Sequence, residues 1–219
     1  SLKLWQYKNV KVLLRGMKFW HDLVTKKSFE ILQDLRRQFK FILIGGWAVF
    51  LYTKGLKSKD IDFVCDFEEL EKIKNQFGIR KNERLKKYET KIKGVDIDIY
   101  APFYSNPGIP AEKIKNYIQS IEGFLAPKPE ILLILKQKAS QEREGTTKGE
   151  KDKIDIISIL KMDLDFDFYF NILKKNKIEN FRDDLVNLLE NTVEVKELNL
   201  NQYQFNRLKK LILMKLKNK

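Results

Sequence analysis

The run 41-FILIGGWAVFLYTKGLKSKDIDFVCD-66 decides how this chain is read. Phe41 to Ile44 are bulky and apolar, as a buried strand requires, and Gly45-Gly46 ends that run abruptly. Two residues without side chains let the backbone approach a bulky anion, and the N–H groups that open the next helix point toward it. That helix is predicted over Trp47 to Lys54, with Gly55 as its stop. The chain then re-enters a strand at Asp60-Ile61-Asp62-Phe63-Val64, where alternation sets Asp60 and Asp62 on one face and Ile61 and Phe63 on the other. Carboxylates so placed lie about 7 Å apart along the strand. They form a platform for a divalent cation: hard oxygen donors suit Mg²⁺, and Mg²⁺ suits nucleotide phosphates.

Composition narrows the class further. The chain has 219 residues, enough to bury a sizeable core, and 43% hydrophobic with 33% charged residues is the balance of a soluble globular protein. Lys and Arg number 43 against 30 Asp and Glu, and the resulting +13 favours an anionic partner such as nucleic acid. The single cysteine, Cys65, has no intramolecular disulfide partner and sits in the acidic strand as a small apolar filler, so a reducing cytoplasm is expected. One histidine, His21, excludes a His-rich metal site. No apolar run is long enough to span a bilayer, and the opening residues carry no signal-peptide pattern. Neither GxxxxGK[S/T] nor GxGxxG occurs, which argues against a P-loop NTPase and a Rossmann dehydrogenase.

Working outward along the chain, residues 1–16 alternate basic and apolar types, and Phe19, Leu23, Ile31, Leu32 and Leu35 keep helical spacing up to Phe39. After the acidic strand, Phe67 to Phe77 is predicted as a helix stopped by Gly78. Arg80 to Lys93 and 95–101 are predicted as antiparallel strands joined at Lys93-Gly94. Pro102 to Pro110 reads as loop, Ala111 to Ile121 as helix, Glu130 to Arg143 as a strong helix, and Gly145 to Glu150 (GTTKGE) as a flexible loop. Lys151 to Met162, Leu164 to Lys175, Asn180 to Leu189 and Gln202 to Lys217 all favour helix. Among them, Asp163, Asp165 and Asp167 read as a cap and solvent-facing acids.

Gly45-Gly46, thirteen intervening residues and Asp60-x-Asp62 resemble the hG[G/S]…Dh[D/E]h signature of the DNA polymerase β-like nucleotidyltransferase superfamily. The resemblance implies an α/β (α+β) nucleotidyltransferase fold, with a small mixed sheet flanked by helices and a C-terminal helical bundle. The expected division is an N-terminal helical and basic segment over 1–40, a catalytic core over 41–104 and a helical region over 105–219. It also implies a third carboxylate on a neighbouring strand, for which Asp98 is the first choice and Asp96, on the same face of the same strand, the alternative.

A second resemblance lies downstream. Leu132-Leu133-Ile134-Leu135-Lys136, Ala139, Arg143 and Lys151-Asp152-x-x-Asp155-Ile156 are similar to the LLxLKxxAxxxR…KDxxDL pattern of the AbiEii-like abortive-infection and toxin-antitoxin branch. Together the two resemblances cover roughly residues 41–160. They imply two Mg²⁺ (or Mn²⁺) held by Asp60, Asp62 and Asp98, an NTP cradled by Gly45, Gly46 and Ser58, and cationic help from Lys136 and Arg143. Lys151, Asp152 and Asp155 are either additional site residues or a helix-terminal charge cluster. The implied acceptor is tRNA or another RNA, with an antitoxin as a protein partner. The alternatives are an aminoglycoside-type small-molecule acceptor and a silent nucleic-acid-binding module on the same fold. Lys57, where Arg is frequent, and Gly46, where Ser is, depart from the pattern and leave the phosphate contacts open.

Overall fold

The computed structural model describes residues 22–217. Residues 1–21, with the basic alternating segment, Phe19 and His21, lie outside them. Helix α1 (22–38) leads into strand β1 (Ile42–Ile44), helix α2 (Gly45–Thr53), strand β2 (Ile61–Val64) and helix α3 (Phe67–Phe77). Three strands follow: β3 (Arg80–Asn82), β4 (Lys87–Ile92) and β5 (Val95–Tyr100). The short helix α4 (Ala111–Ile114), the hairpin β6 (Ile118–Ile121) and β7 (Phe124–Pro127), and then helices α5 (Pro129–Glu142), α6 (Thr147–Leu160), α7 (Phe166–Asn176), α8 (Asn180–Asn191) and α9 (Gln202–Lys217) complete it.

The strands form one mixed sheet in the order β3-β4-β5-β2-β1-β7-β6. Alternation along β2 buries Ile61 and Phe63 completely against the helices and turns Asp62 to the opposite face. On the covered face, Ile31, Leu32 and Leu35 of α1 join Trp47 and Val49 of α2 in the core, and the Trp47 indole N–H donates to Ser28 Oγ at 2.9 Å. Asp66 caps α3 by accepting from the Glu69 N–H at 2.9 Å, and Gly78 ends that helix at a φ of +68°. The β4–β5 hairpin turns at Lys93-Gly94 as expected, and Asp165 caps α7 through the Phe168 N–H.

Four local expectations differ from the structure. Helix α2 begins at Gly45 and stops where Lys54 enters the left-handed region, before Gly55 is reached. The acidic strand starts at Ile61, which leaves Asp60 just ahead of it. Ala111 to Ile121 is helical only at its start: Ile118 to Pro127 folds as a hairpin around Glu122-Gly123 and fills the open edge of β1, pairing Leu125 with Ile42. Local helix periodicity competed there with a long-range strand partner, and the partner prevailed. The last four residues of GTTKGE, Thr147 to Glu150, form the first turn of α6, because the Thr146 hydroxyl caps it by accepting from the Gly149 N–H at 3.0 Å.

Candidate active site

The site is assembled where β1 hands over to α2. Ile44 lies opposite Asp62 in the antiparallel β1–β2 register, so Gly45 falls directly beside that carboxylate. Gly45 has a φ of +67°, and a Cβ placed on it would stand 2.2 Å from Asp62 Oδ2. Only glycine satisfies both the turn and the approach. Gly46, without a left-handed φ, is confined by space alone: its Cβ would meet Ser58 Oγ at 2.8 Å and Lys151 Nζ at 2.9 Å. No side chain caps the N-terminus of α2 and its first turn carries no acid, so its amide donors and positive dipole end are left for a ligand.

Strand β5 supplies the second acid. It runs parallel to β2 with Asp98 opposite Asp62, and neighbours in register share a face about 4.8 Å apart. Asp96 lies two residues earlier on β5, with its side chain 58% exposed and paired to Lys91 Nζ at 3.0 Å. Asp98 instead accepts from Lys87 Nζ, on a lysine whose side chain is only 8% exposed. Asp60 accepts from Lys148 Nζ at 2.8 Å. The pair Asp62 and Asp98 is therefore brought together, and Asp60 is drawn toward α6.

Asp62 faces a cleft of about 360 Å³ bounded by Gly45, Tyr100, Arg84, Asn106, Arg143 and Lys148. Burial and, next, the charge of Asp98 push its carboxyl up to about 6. Two hard oxygen donors that repel one another across a parallel register suit a divalent cation, which would relieve that repulsion. Among the described residues no group of three or more His, Cys, Asp or Glu is arranged to hold a metal. The fit is thus a two-carboxylate one, with Asp60 held off by a half-exposed lysine whose ion pair is weak enough to exchange.

A protein from H. pylori provisionally called a nucleotidyltransferase shares the fold at a TM-score of 0.50 and 21% identity, over 89% of this chain and 95% of that one. The fold is nucleotidyltransferase-like. An antigenic nucleotidyltransferase-like protein from Paracoccidioides brasiliensis matches at a TM-score of 0.42 and 18% identity, over 82% of this chain and 98% of the other. The Megavirus polyadenylate synthase matches at 0.48 and 15%, over 71% of this chain and 37% of that protein's length. No protein-family model and no curated protein sequence matches the chain.

Within this nucleotidyltransferase-like fold, the downstream motif residues converge on one another. Lys136 is buried on α5, and its Nζ lies 2.9 Å from Asp152 and 2.7 Å from Asp155, both on α6. Arg143, just past the end of α5, reaches the other oxygen of Asp152 at 3.3 Å, and Lys151 reaches Asp155 at 3.2 Å. The five side chains form a single ionic seam between α5 and α6. Lys136 and Arg143 both line the cleft, but Lys136 has its charge committed to two carboxylates. Ser58 is buried behind α2.

Sequence reasoning overlooked Lys87 and Lys148. Lys87 was legible in part: counting outward from the Lys93-Gly94 turn pairs Glu89 with Asp98 and places Lys87 diagonally across from it. Lys148 carried no such signal, because it lies 88 positions from Asp60 and meets it only through the packing of α6. Among the described residues no helix is long and apolar enough to cross a membrane.

Proposed function

We propose that the protein is a nucleotidyltransferase that moves a nucleoside monophosphate from an NTP to an acceptor hydroxyl. The observation carrying this reading is the contact of left-handed Gly45 with Asp62, beside Asp98 and at the uncapped start of a helix. In the reaction the acceptor oxygen bonds to the α-phosphorus, the bond to the α–β bridging oxygen breaks, pyrophosphate leaves with that electron pair, and the acceptor proton passes to Asp98. The Gly45 and Gly46 amides and the dipole of α2 hold the triphosphate, while Arg143 and Lys148 offset its charge. Lys87 fixes the orientation of Asp98 through its ion pair. Asp62 and Asp98 would hold Mg²⁺ or Mn²⁺, with Asp60 joining once Lys148 releases it. When bound, the metal supplies charge stabilisation for the entering and leaving oxygens. Positioning and electrostatics carry such transfers, so no covalent nucleophile is required.

The net charge of +13 favours a polynucleotide acceptor. It works against an aminoglycoside-type acceptor, which is itself polycationic. The likeness of the Lys136–Ile156 pattern to AbiEii-like proteins extends the reading to an RNA-modifying toxin neutralised by an antitoxin.

The deciding experiment incubates the protein with each labelled NTP, Mg²⁺ and either total RNA or an aminoglycoside mixture. Label is expected in RNA with the wild type and not with Asp62→Ala. Label in the aminoglycoside alone would reassign the acceptor, and no label in any acceptor would leave a binding module. Growth arrest on expression that disappears with Asp62→Ala supports the toxin role; harmless expression of an active enzyme removes it.

A further inference from the structure

Phe103 is the most exposed large apolar residue among those described, at 84%, and it is held at a φ of +58°. Either feature alone is unremarked on a surface, but their coincidence is costly. A left-handed backbone is uncommon for a bulky side chain, and an exposed ring gains nothing from burial in the fold. The conformation is held from both sides. The Phe103 N–H donates to Glu112 Oε2 at 2.9 Å, and the next residue, Tyr104, is pinned to the β3–β4 hairpin. The Tyr104 hydroxyl donates to the Asn82 carbonyl at 3.1 Å, its ring lies 5.3 Å from that of Tyr88, and Lys81 Nζ sits 4.6 Å from its centroid. The fold thus locks the loop and leaves the Phe103 ring in solvent.

This loop is also the rim of the catalytic cleft. Three and four residues beyond Phe103, Asn106 and Pro107 line the cleft, and Arg84 lines it from the facing hairpin. Lys86, two residues beyond Arg84, places its ammonium 5.5 Å from the Tyr104 ring. A held loop that exposes one aromatic ring, next to a Tyr104 ring flanked by Lys81 and Lys86 (both also paired to Glu83), offers what an unpaired nucleotide needs: stacking for the base and charge for its phosphate. In a duplex the base faces are already stacked and closed to such a platform.

We infer that Phe103, with Arg84 and Lys86, is a stacking platform that seats an unpaired nucleotide of a single-stranded polynucleotide acceptor at the cleft mouth. The inference rests on the transfer reading only for the direction in which the strand leads. The test measures binding of a fluorescein-labelled single-stranded oligoribonucleotide, and of the same sequence as a duplex, by anisotropy without NTP. A fluorescent NTP analogue and a thermal melt are run in parallel on the wild type, Phe103→Gly and Phe103→Trp. Glycine relieves the left-handed strain, so Phe103→Gly is expected to melt no lower than the wild type. It should bind the single strand about 5- to 100-fold more weakly and the NTP analogue unchanged, and Phe103→Trp should retain binding. Equal single-strand affinity in wild type and Phe103→Gly overturns the platform, as does an equal loss for the duplex. A wild type that binds the single strand through Phe103 yet transfers nothing upholds the platform and sinks the transfer reading. Active transfer to RNA with an unaltered KM in Phe103→Gly does the reverse.

Discussion

Asp62 is the residue at which function and stability pull in opposite directions. Its carboxyl titrates near 6 in the folded protein against an ordinary 3.8, first from burial and then from the charge of Asp98. Between those values the folded chain keeps a proton that the unfolded chain has lost, so stability falls as pH rises from about 4 to about 6 and stays low above that. With chelator present, Asp62→Asn is therefore expected to stabilise the protein at pH 7.5 by on the order of 2 kcal/mol. The gain should vanish below about pH 4; denaturant melts at the two pH values check it, and an equal effect at both would remove the electrostatic explanation. The same variant should lose transfer. Gly45→Ala tests the neighbouring contact: its methyl would overlap Asp62 Oδ2, and transfer is expected to drop at least about 100-fold while α2 still forms. Retained activity in a single-turnover assay would show that the close approach is dispensable.

At the scale of elements, the α5–α6 seam sets the shape of the cleft. Lys136→Met would remove the one buried cation shared by Asp152 and Asp155, each no more than 3% exposed, and leave them only the more exposed Arg143 and Lys151. A loss of about 3–5 kcal/mol is expected from breaking one side of a buried ionic group. Asp155 Oδ1 already lacks a hydrogen-bond partner, so this seam has little to compensate with. Inactivity of a Lys136 variant should therefore track its unfolding in a denaturation curve; a fully stable but inactive Lys136→Met would instead mark Lys136 as a ligand contact. Thr146→Ala removes the cap that starts α6 and should cost about 1 kcal/mol. Because Lys148 sits in that first turn, the same change should weaken NTP binding beyond the stability loss, which a fluorescent NTP titration would read.

For the whole molecule, the excess of 13 positive charges makes association with a polyanion strongly salt-dependent. Single-strand affinity plotted against salt on logarithmic axes is expected to slope at about −0.7 per phosphate neutralised. A flat plot would leave the charge as a solubility feature. The seven-stranded sheet bears on this as well: β2 lies between β1 and β5, and β5 between β2 and β4, so the acids lie on interior strands, and the β6–β7 hairpin makes β1 an interior strand too. That leaves their geometry insensitive to fraying at the rims.

What the sequence determined by itself is what neighbours along the chain decide. Gly45-Gly46 had to break the strand, Lys93-Gly94 had to turn a hairpin, and Ile61 and Phe63 had to face away from Asp62. These follow from backbone freedom and from a two-residue period, which need no partner to be named. Periodicity treated Asp96 and Asp98 alike, because both lie on one face of one strand. The parallel pairing of β2 with β5 separated them, setting Asp98 beside Asp62 and leaving Asp96 in solvent with Lys91. Packing likewise placed Lys148 on Asp60 and buried Lys136 between two carboxylates. Charge, burial and register depend on groups brought together from distant parts of the chain, and only the folded arrangement supplies those partners.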